Sequence, residues 1–400
     1  MYKSDLTRLK ACMRRAEAGE DVTLGFFGGS ITQDSLATKH EYCYAYRVFQ
    51  WWEKTFPKAK LHYVNGGIGG TTSHYGVSRV VTDMLMYQPD FVVVDFSVND
   101  EPEKFFQETY EGLVRRMLTW SSVPAVLLLN NVFYDTGKNA QEYHNQIGEW
   151  YRLPYVSIKD TVWKRIKAGE FIREEISPDG LHPNDKGHAL VASEITAYLE
   201  NVRKSMWEDE EQTSLPSAMT DNAYERAQRL TIREICPRLD GFRADTNEKE
   251  GHLDHFKNGW IGSKEGDRLL FETEASCIAV QYRKTIRHPA RKAELILDGD
   301  TKHPVLLDGN FDEDWGDCLY LEPVLHHGEY GKHTVEIRVL PDEFENAEPL
   351  YEELTKLLSG EVRFFPGSLM SGSEEYQEEQ PVFTMLCPVS NLETASRQGY

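Results

Sequence analysis

Two short segments of this 400-residue chain carry residue types that can do nucleophilic chemistry together. Ser30 follows Gly28 and Gly29 directly after the apolar run VTLGFF. A serine on a glycine turn at a strand end can present its hydroxyl above a sheet. Asp179 and His182 stand three apart in the loop Ser177-Pro178-Asp179-Gly180-Leu181-His182-Pro183-Asn184. That spacing lets the carboxylate accept from one imidazole nitrogen while the other nitrogen faces a nucleophile, the arrangement that drives acyl transfer. The serine segment alone fits a plain turn equally well, and an isolated Asp-x-x-His fits a surface loop with a helix cap. A phosphate loop is excluded, because no Lys stands next to the Ser or Thr. His188 competes for the role of base, but it falls inside the helix that follows, where packing or solvation is expected.

Two further segments gain meaning from their company. Asn65-Gly66-Gly67-Ile68-Gly69-Gly70-Thr71-Thr72 invites a dinucleotide reading, yet a G-x-G-x-x-G pattern counted from Gly67 needs its last glycine at 72, where Thr stands. Glycines also let a backbone approach a ligand and aim its N–H groups, which an oxyanion hole requires. Ser97-Val98-Asn99-Asp100 puts a carboxamide after a third apolar run. A lone Asn there is a turn former. In a parallel sheet, however, all C-terminal strand ends lie on one edge, and that edge is where α/β folds bind ligands.

The elements that must hold these groups are legible as runs. VTLGFF (22–27), KLHYV (60–64), FVVVDF (91–96), AVLLLN (125–130) and PYVSI (154–158) read as strands. Helical periodicity lies between them, as at Val77, Val80, Val81, Met84 and Leu85. FVVVDF and AVLLLN are almost wholly apolar, as central strands covered on both faces should be. A helix from about Lys186 to Lys204 closes an α/β domain over residues 1–205. Residues 206–259, opening on the polar WEDEEQTSLPS, read as a linker and connecting segment. From 260 to 400 the pattern becomes RLLFET, CIAVQYR, AELILDGD, HPVLLDGN and KHTVEIRVL with Asp-Gly turns, an all-β sandwich of jelly-roll type. The Glu-rich stretch 341–380 reads as a long loop or partly helical excursion.

Composition removes several classes of function. Forty per cent hydrophobic and 27% charged residues describe a soluble globular protein. No apolar run approaches the roughly 20 residues of a membrane span. A formal charge of -21 opposes binding to nucleic acid or to an anionic membrane. No secretory leader opens the chain, so a cytoplasmic location is expected. The six cysteines are scattered singly, Cys12, Cys43, Cys236, Cys277, Cys318 and Cys387, and read as buried or idle thiols. His252, His255, His326 and His327 lack any metal-ligand spacing and are expected to be structural or exposed, so no metal and no cofactor is assigned.

Taken in order, the four segments resemble the blocks of the SGNH, or GDSL, hydrolase family. The resemblance spans about half the chain. It implies a flavodoxin-like three-layer α/β/α domain, Ser30 as nucleophile, His182 as base, Asp179 as the third triad member, and Gly70 and Asn99 as oxyanion-hole donors beside the Ser30 N–H. It departs at Gly29, where family members often carry Asp. That Asp is not the triad acid, so the departure weakens only the transfer of subfamily specificity.

The expected function is hydrolysis of short, acetyl-type esters on small acetylated carbohydrates, with a small-molecule partner and the oligomeric state left open. A general short-chain carboxylesterase or lysophospholipase, and a catalytically idle carbohydrate-binding protein, remain as alternatives. Among candidate sugar platforms, His40, Tyr42, Tyr44 and Tyr46 follow the serine, while Trp51 and Trp52 are expected as helix core. Trp260 and Trp315 are expected in the core of the sandwich.

Overall fold

Five strands form one parallel sheet: β1 (Asp21–Gly28), β2 (Lys60–Asn65), β3 (Phe91–Asp95), β4 (Ala125–Asn130) and β5 (Tyr155–Ser157). Their order in the computed structural model is β2-β1-β3-β4-β5, the flavodoxin-like winding implied above. Side chains are described for residues 3–208 and 213–341, and for 382–388 the backbone alone. Period-two alternation splits the strands between two cores. Val22, Leu24, Phe26, Phe91, Val93, Leu127 and Leu129 face α1 (Thr7–Ala18), α3 (Tyr44–Thr55) and α8 (Asp185–Lys204). Phe27, Val92, Val94, Val126 and Leu128 face α4 (Ser73–Asp83), α5 (Lys104–Leu118) and α6 (Gln141–Trp150). A short turn, α2 (Ser30–Gln33), follows β1, and α7 (Lys164–Lys167) precedes the loop of Asp179. Trp52 is fully buried and Trp51 packs against the same core, as expected. Among the described residues no helix is long and apolar enough to cross a membrane.

The second region is built from two antiparallel sheets. One runs β13 (Val305–Asp308), β12 (Lys292–Leu297), β15 (Gly331–Val339), β10 (Arg268–Ala275) and β7 (Arg238–Asp240). The other runs β14 (Cys318–Leu325), β11 (Ile278–Lys284), β16 (Val382–Pro388), β9 (Trp260–Ile261) and β8 (Arg243–Ala244), with β6 (Ala227–Leu230) also paired to β16. Leu269, Phe271, Leu295, Val335 and Ile337 from the first meet Ile278, Val280 and Tyr282 from the second in one core. Trp260 belongs to that core, but Trp315 does not: it stands 53% exposed on the β13–β14 loop, a correction to its expected burial.

The segment 206–259 does more than connect. Its strands β6, β7 and β8 belong to the sandwich sheets. Before them, residues 219–225 are strapped onto α5 by carboxylates that the helix turns inward. Glu111 accepts from the Met219 and Thr220 N–H groups at 2.6 and 2.7 Å, and Arg115 pairs with Glu225 at 2.8 Å. The strap lies so close that a Cβ at Gly112 would come within 2.9 Å of the Glu225 nitrogen. Polar composition hid this packing, because the segment contributes backbone donors rather than apolar side chains. Of the Glu-rich stretch expected as a loop, all but residue 341 lies outside the described residues, and so does the Cys387 side chain. The other five cysteines are free, Cys236 alone among them exposed.

One buried charge joins the strand ends that carry the glycine segments. Arg79 on α4 has no solvent exposure. It donates to the carbonyls of Gly66 at 2.7 Å and Gly28 at 3.1 Å, stacks 4.2 Å over Phe27, and pairs with Asp83 at 3.3 Å. Breaking a buried pair by removing one partner costs about 3–5 kcal/mol, since the other charge stays desolvated. Arg79→Met should therefore lower the unfolding free energy by roughly that amount, read from the urea midpoint at constant m. A loss smaller than about 1 kcal/mol, the worth of an exposed pair, would show the interaction to be peripheral.

Candidate active site

The parallel sheet reverses its winding between β1 and β3, and the crevice there receives the sequence-selected groups. β1 and β3 pair so that Gly28 faces Asp95, and the chain beyond each turns into the crevice. Gly29 is the N-cap of α2, so the Ser30 N–H is the first of that turn and has no acceptor within it. Ser30 is 9% exposed at the crevice floor. A Cβ on Gly29 would fall 2.9 Å from Asn99 Cγ, which is why this position admits no side chain while Asn99 keeps its place.

Asp179 and His182 come from the loop before α8, whose N-cap Asn184 accepts from the Lys186 and Gly187 N–H groups. His182 Nε2 lies 2.8 Å from Ser30 Oγ, and Nδ1 lies 2.7 Å from Asp179 Oδ2. Asp179 Oδ1 accepts from the N–H groups of Leu181 and His182 at 2.9 and 2.7 Å. Partial burial alone would raise the Asp179 carboxyl, but the His182 hydrogen bond and these two N–H groups outweigh it and bring it down to about 2. Asp179 is thereby a carboxylate at any working pH, and it favours the tautomer with the proton on Nδ1 and the lone pair on Nε2.

His188, the competing base, is fully buried within α8. Its Nδ1 accepts from the Tyr44 N–H at 3.2 Å and its Nε2 donates to the Ser35 carbonyl at 3.1 Å. Burial pushes it down to about 4, and both nitrogens are spent on packing the β1–α3 connection.

Gly70 has φ +67, the left-handed region that favours glycine, and it lies on the same rim. The neighbouring Gly69 N–H is taken by Gln33 Oε1 at 2.6 Å. The Gly70 N–H and the Asn99 carboxamide have no protein partner among the described residues, so both can serve a ligand. Asp100 steadies this side: it accepts from the Ser73 N–H at 2.7 Å and from His144 Nε2 at 3.0 Å, tying the end of β3 to α4 and α6. Sequence reading missed Asp100 and His144, whose partners are remote in the chain, and Arg79, whose two carbonyl acceptors lie on other elements.

The sandwich contributes to this rim through Trp315, which was expected in its core. The ring of Trp315 lies 3.2 Å from where a Gly70 Cβ would be, and Phe311 packs edge-on against it with centroids 4.9 Å apart. Tyr44, expected among the aromatic platforms, is instead buried, its hydroxyl 2.8 Å from Thr32 Oγ1. From Gly70 a cavity of about 440 Å³ runs between the two regions, lined by Tyr75, Phe105, Phe106, Leu319 and Tyr320 among others. The arrangement offers a hydroxyl bonded to an imidazole that a carboxylate orients, and unpartnered N–H donors at Gly70 and Asn99, the needs of acyl transfer. Gly29→Ala should keep the fold but push the Asn99 carboxamide aside, lowering kcat on a small acetate ester by about 100- to 1000-fold with KM little changed. A variant with wild-type kcat would detach Asn99 from the chemistry.

Residues 26–190, which contain all five sequence-selected positions, match the GDSL-like lipase/acylhydrolase family. No curated protein matches the chain. Among solved structures, a two-domain esterase (CEX) active on acetylated mannans, co-crystallised with mannopentaose, is 43% identical. The similarity covers 98% of this chain and 97% of that one, with a TM-score of 0.86. A second structure of a two-domain esterase (CEX) active on acetylated mannans is 48% identical over 86% of this chain and 93% of that one, with a TM-score of 0.84. With a likeness of this degree running through both regions, the chain belongs to the GDSL-like lipase/acylhydrolase family and is a carboxylic ester hydrolase.

Proposed function

We propose that the chain removes acetyl groups from acetylated mannan-type carbohydrates through an acetyl-enzyme on Ser30. The observation that carries this reading is the unbroken line Ser30 Oγ, His182 Nε2, His182 Nδ1, Asp179 Oδ2, with separations of 2.8 and 2.7 Å. The two-domain relatives active on acetylated mannans support the substrate class. His182 takes the Ser30 proton as Oγ attacks the acetyl carbonyl. The oxyanion is held by the Ser30 and Gly70 N–H groups and the Asn99 carboxamide. Each donor is worth about 3–4 kcal/mol in the transition state and little in the ground state. His182 then returns the proton to the departing sugar oxygen. Water, deprotonated by the same imidazole, releases acetate and restores Ser30.

Trp315 is assigned to the sugar. An exposed indole beside the oxyanion position suits the apolar face of a pyranose, whereas a bare aryl acetate needs no such surface. A second reading, a general short-chain carboxylesterase, draws on the apolar cavity that starts at Gly70. Faster turnover of octanoate than acetate esters would favour it.

Ser30→Ala and His182→Ala should each lower kcat on the order of 10⁴- to 10⁶-fold, and combining them should cost little more, because triad members act as a unit. His188→Ala should lose stability yet keep most of its turnover. An inactive His188→Ala with an active His182→Ala would reverse the assignment of the base. Trp315→Ala should raise KM for an acetylated mannooligosaccharide about tenfold, equivalent to ~1.4 kcal/mol, and leave p-nitrophenyl acetate hydrolysis unchanged. Equal effects on both substrates would remove the indole from sugar recognition.

A further inference from the structure

Away from Ser30, three metal-ligating side chains from distant parts of the chain meet where the sandwich rests on α5. Glu108, Oε2 in particular, lies 2.7 Å from His327 Nε2. Ring nitrogens of His326 and His327 and the Glu108 carboxylate all lie within 4.8 Å of one another. Around a tetrahedral zinc with bonds near 2.1 Å, donor atoms sit about 3.4 Å apart, so small side-chain rotations bring the three into range.

The backbone is bent to achieve this. Consecutive residues of a strand point to opposite faces, so His326 and His327 beyond the end of β14 would diverge in extended chain. His327 instead has φ +52, in the left-handed region that costs a side-chain-bearing residue energy, and the turn aims both rings at one carboxylate. Two of the three ligands are also oriented from behind, as metal ligands usually are. Tyr224 Oη lies 2.6 Å from His326 Nδ1, leaving Nε2 for a metal. Glu108 Oε1 accepts from the Ala223 N–H at 2.8 Å, which leaves Oε2 turned toward His327.

A cavity of about 410 Å³ opens on the cluster and is lined by Thr220, Asp221 and Lys104 as well. The Lys104 ammonium is drawn off by Gln107 Oε1 at 2.8 Å, and Asp221 supplies a second negative charge. Two neutral imidazoles and one carboxylate with an open fourth position form a donor set suited to zinc rather than to magnesium or calcium.

We propose that Glu108, His326 and His327 form a zinc site in which the metal, completed by water or Asp221, staples the sandwich to the catalytic α5 helix. The site takes one ligand from the helix and two from the turn after β14. That strand also supplies Leu319 and Tyr320 to the cavity leading to Gly70. The metal lies outside the Ser30 chemistry and sets the pose of the surface that faces the substrate.

The test is zinc binding to the full-length protein after chelator treatment, followed by isothermal titration, with cobalt(II) as a coloured probe. Wild type should bind one equivalent, develop cobalt absorption bands in the visible, and gain several degrees in Tm when zinc reaches about 100 times Kd. His326→Ala and His327→Ala should each weaken binding at least tenfold. Glu108→Gln separates a metal ligand from a hydrogen-bond partner: its carboxamide can still pair with His327, so the fold survives while zinc affinity falls. His182→Ala should bind zinc as wild type does. No stoichiometric binding by wild type, unchanged binding in the three site variants, or binding abolished only by His182→Ala would each overturn the proposal.

Discussion

A guanidinium shut away from solvent holds the carbonyl groups of two strand ends, and the geometry of the crevice depends on that hold. Arg79 reaches Gly28 and Gly66 at once, and Gly28 lies two residues before Ser30. A charge in such a place is tolerated only with acceptors and a counter-charge near. Asp83, one turn along α4, meets the second condition and the two carbonyls go far toward the first. The cost of misplacing any of them is high, so the glycine loops have one arrangement rather than many. Rigidity of this kind is what an oxyanion site needs, because donors that must reorganise during the reaction give up their advantage.

The sandwich is joined to this rigid unit by core packing as well as by surface contacts. Tyr224, Ala227 and Cys277 lie in the same apolar cluster as Val80, Tyr110 and Leu113 of α4 and α5. Arg229 of β6 bonds to the Tyr75 hydroxyl at 2.6 Å, and His252 donates to the Gly67 carbonyl at 3.0 Å. The α4–α5 face, which would be a solvent face in an isolated α/β domain, is here an interior. Trp315 is consequently held beside Gly70 by a broad apolar joint, with its loop needing only to be short.

Much of the α/β half could be read directly from residue order. The five runs expected as strands are the five parallel strands, and β3 and β4 were plainest because central strands buried on both faces have to be apolar throughout. Ser30, Asp179 and His182 were legible because their roles demand particular residue types at a particular edge. Arg79 was not: an arginine on an amphipathic helix reads as a surface residue until its acceptors are seen. Trp315 was misplaced because an isolated tryptophan usually packs inside, and only its loop shows otherwise. His327 and Glu108 stand 219 positions apart, so no spacing rule could join them. Strands β6 to β9 escaped because they are four residues or fewer, and β14 because Glu322 and Pro323 interrupt its pattern.

The position of β16 sets an order on biosynthesis. This strand lies inside its sheet, with β11 on one side and β9 and β6 on the other, yet among the described residues it follows every other strand. A ribosome adding roughly 5–20 residues per second exposes the complete parallel sheet and α8 about ten to forty seconds before residue 388. From the completion of β11 until β16 emerges, β11 and β9 have open edges with unpaired N–H and C=O groups, the kind of surface that pairs with other chains. The nascent hydrolase half can settle early, whereas the half that presents Trp315 stays open to mispairing until translation has passed β16. Crowded synthesis therefore endangers the substrate-facing half of the protein more than its nucleophile.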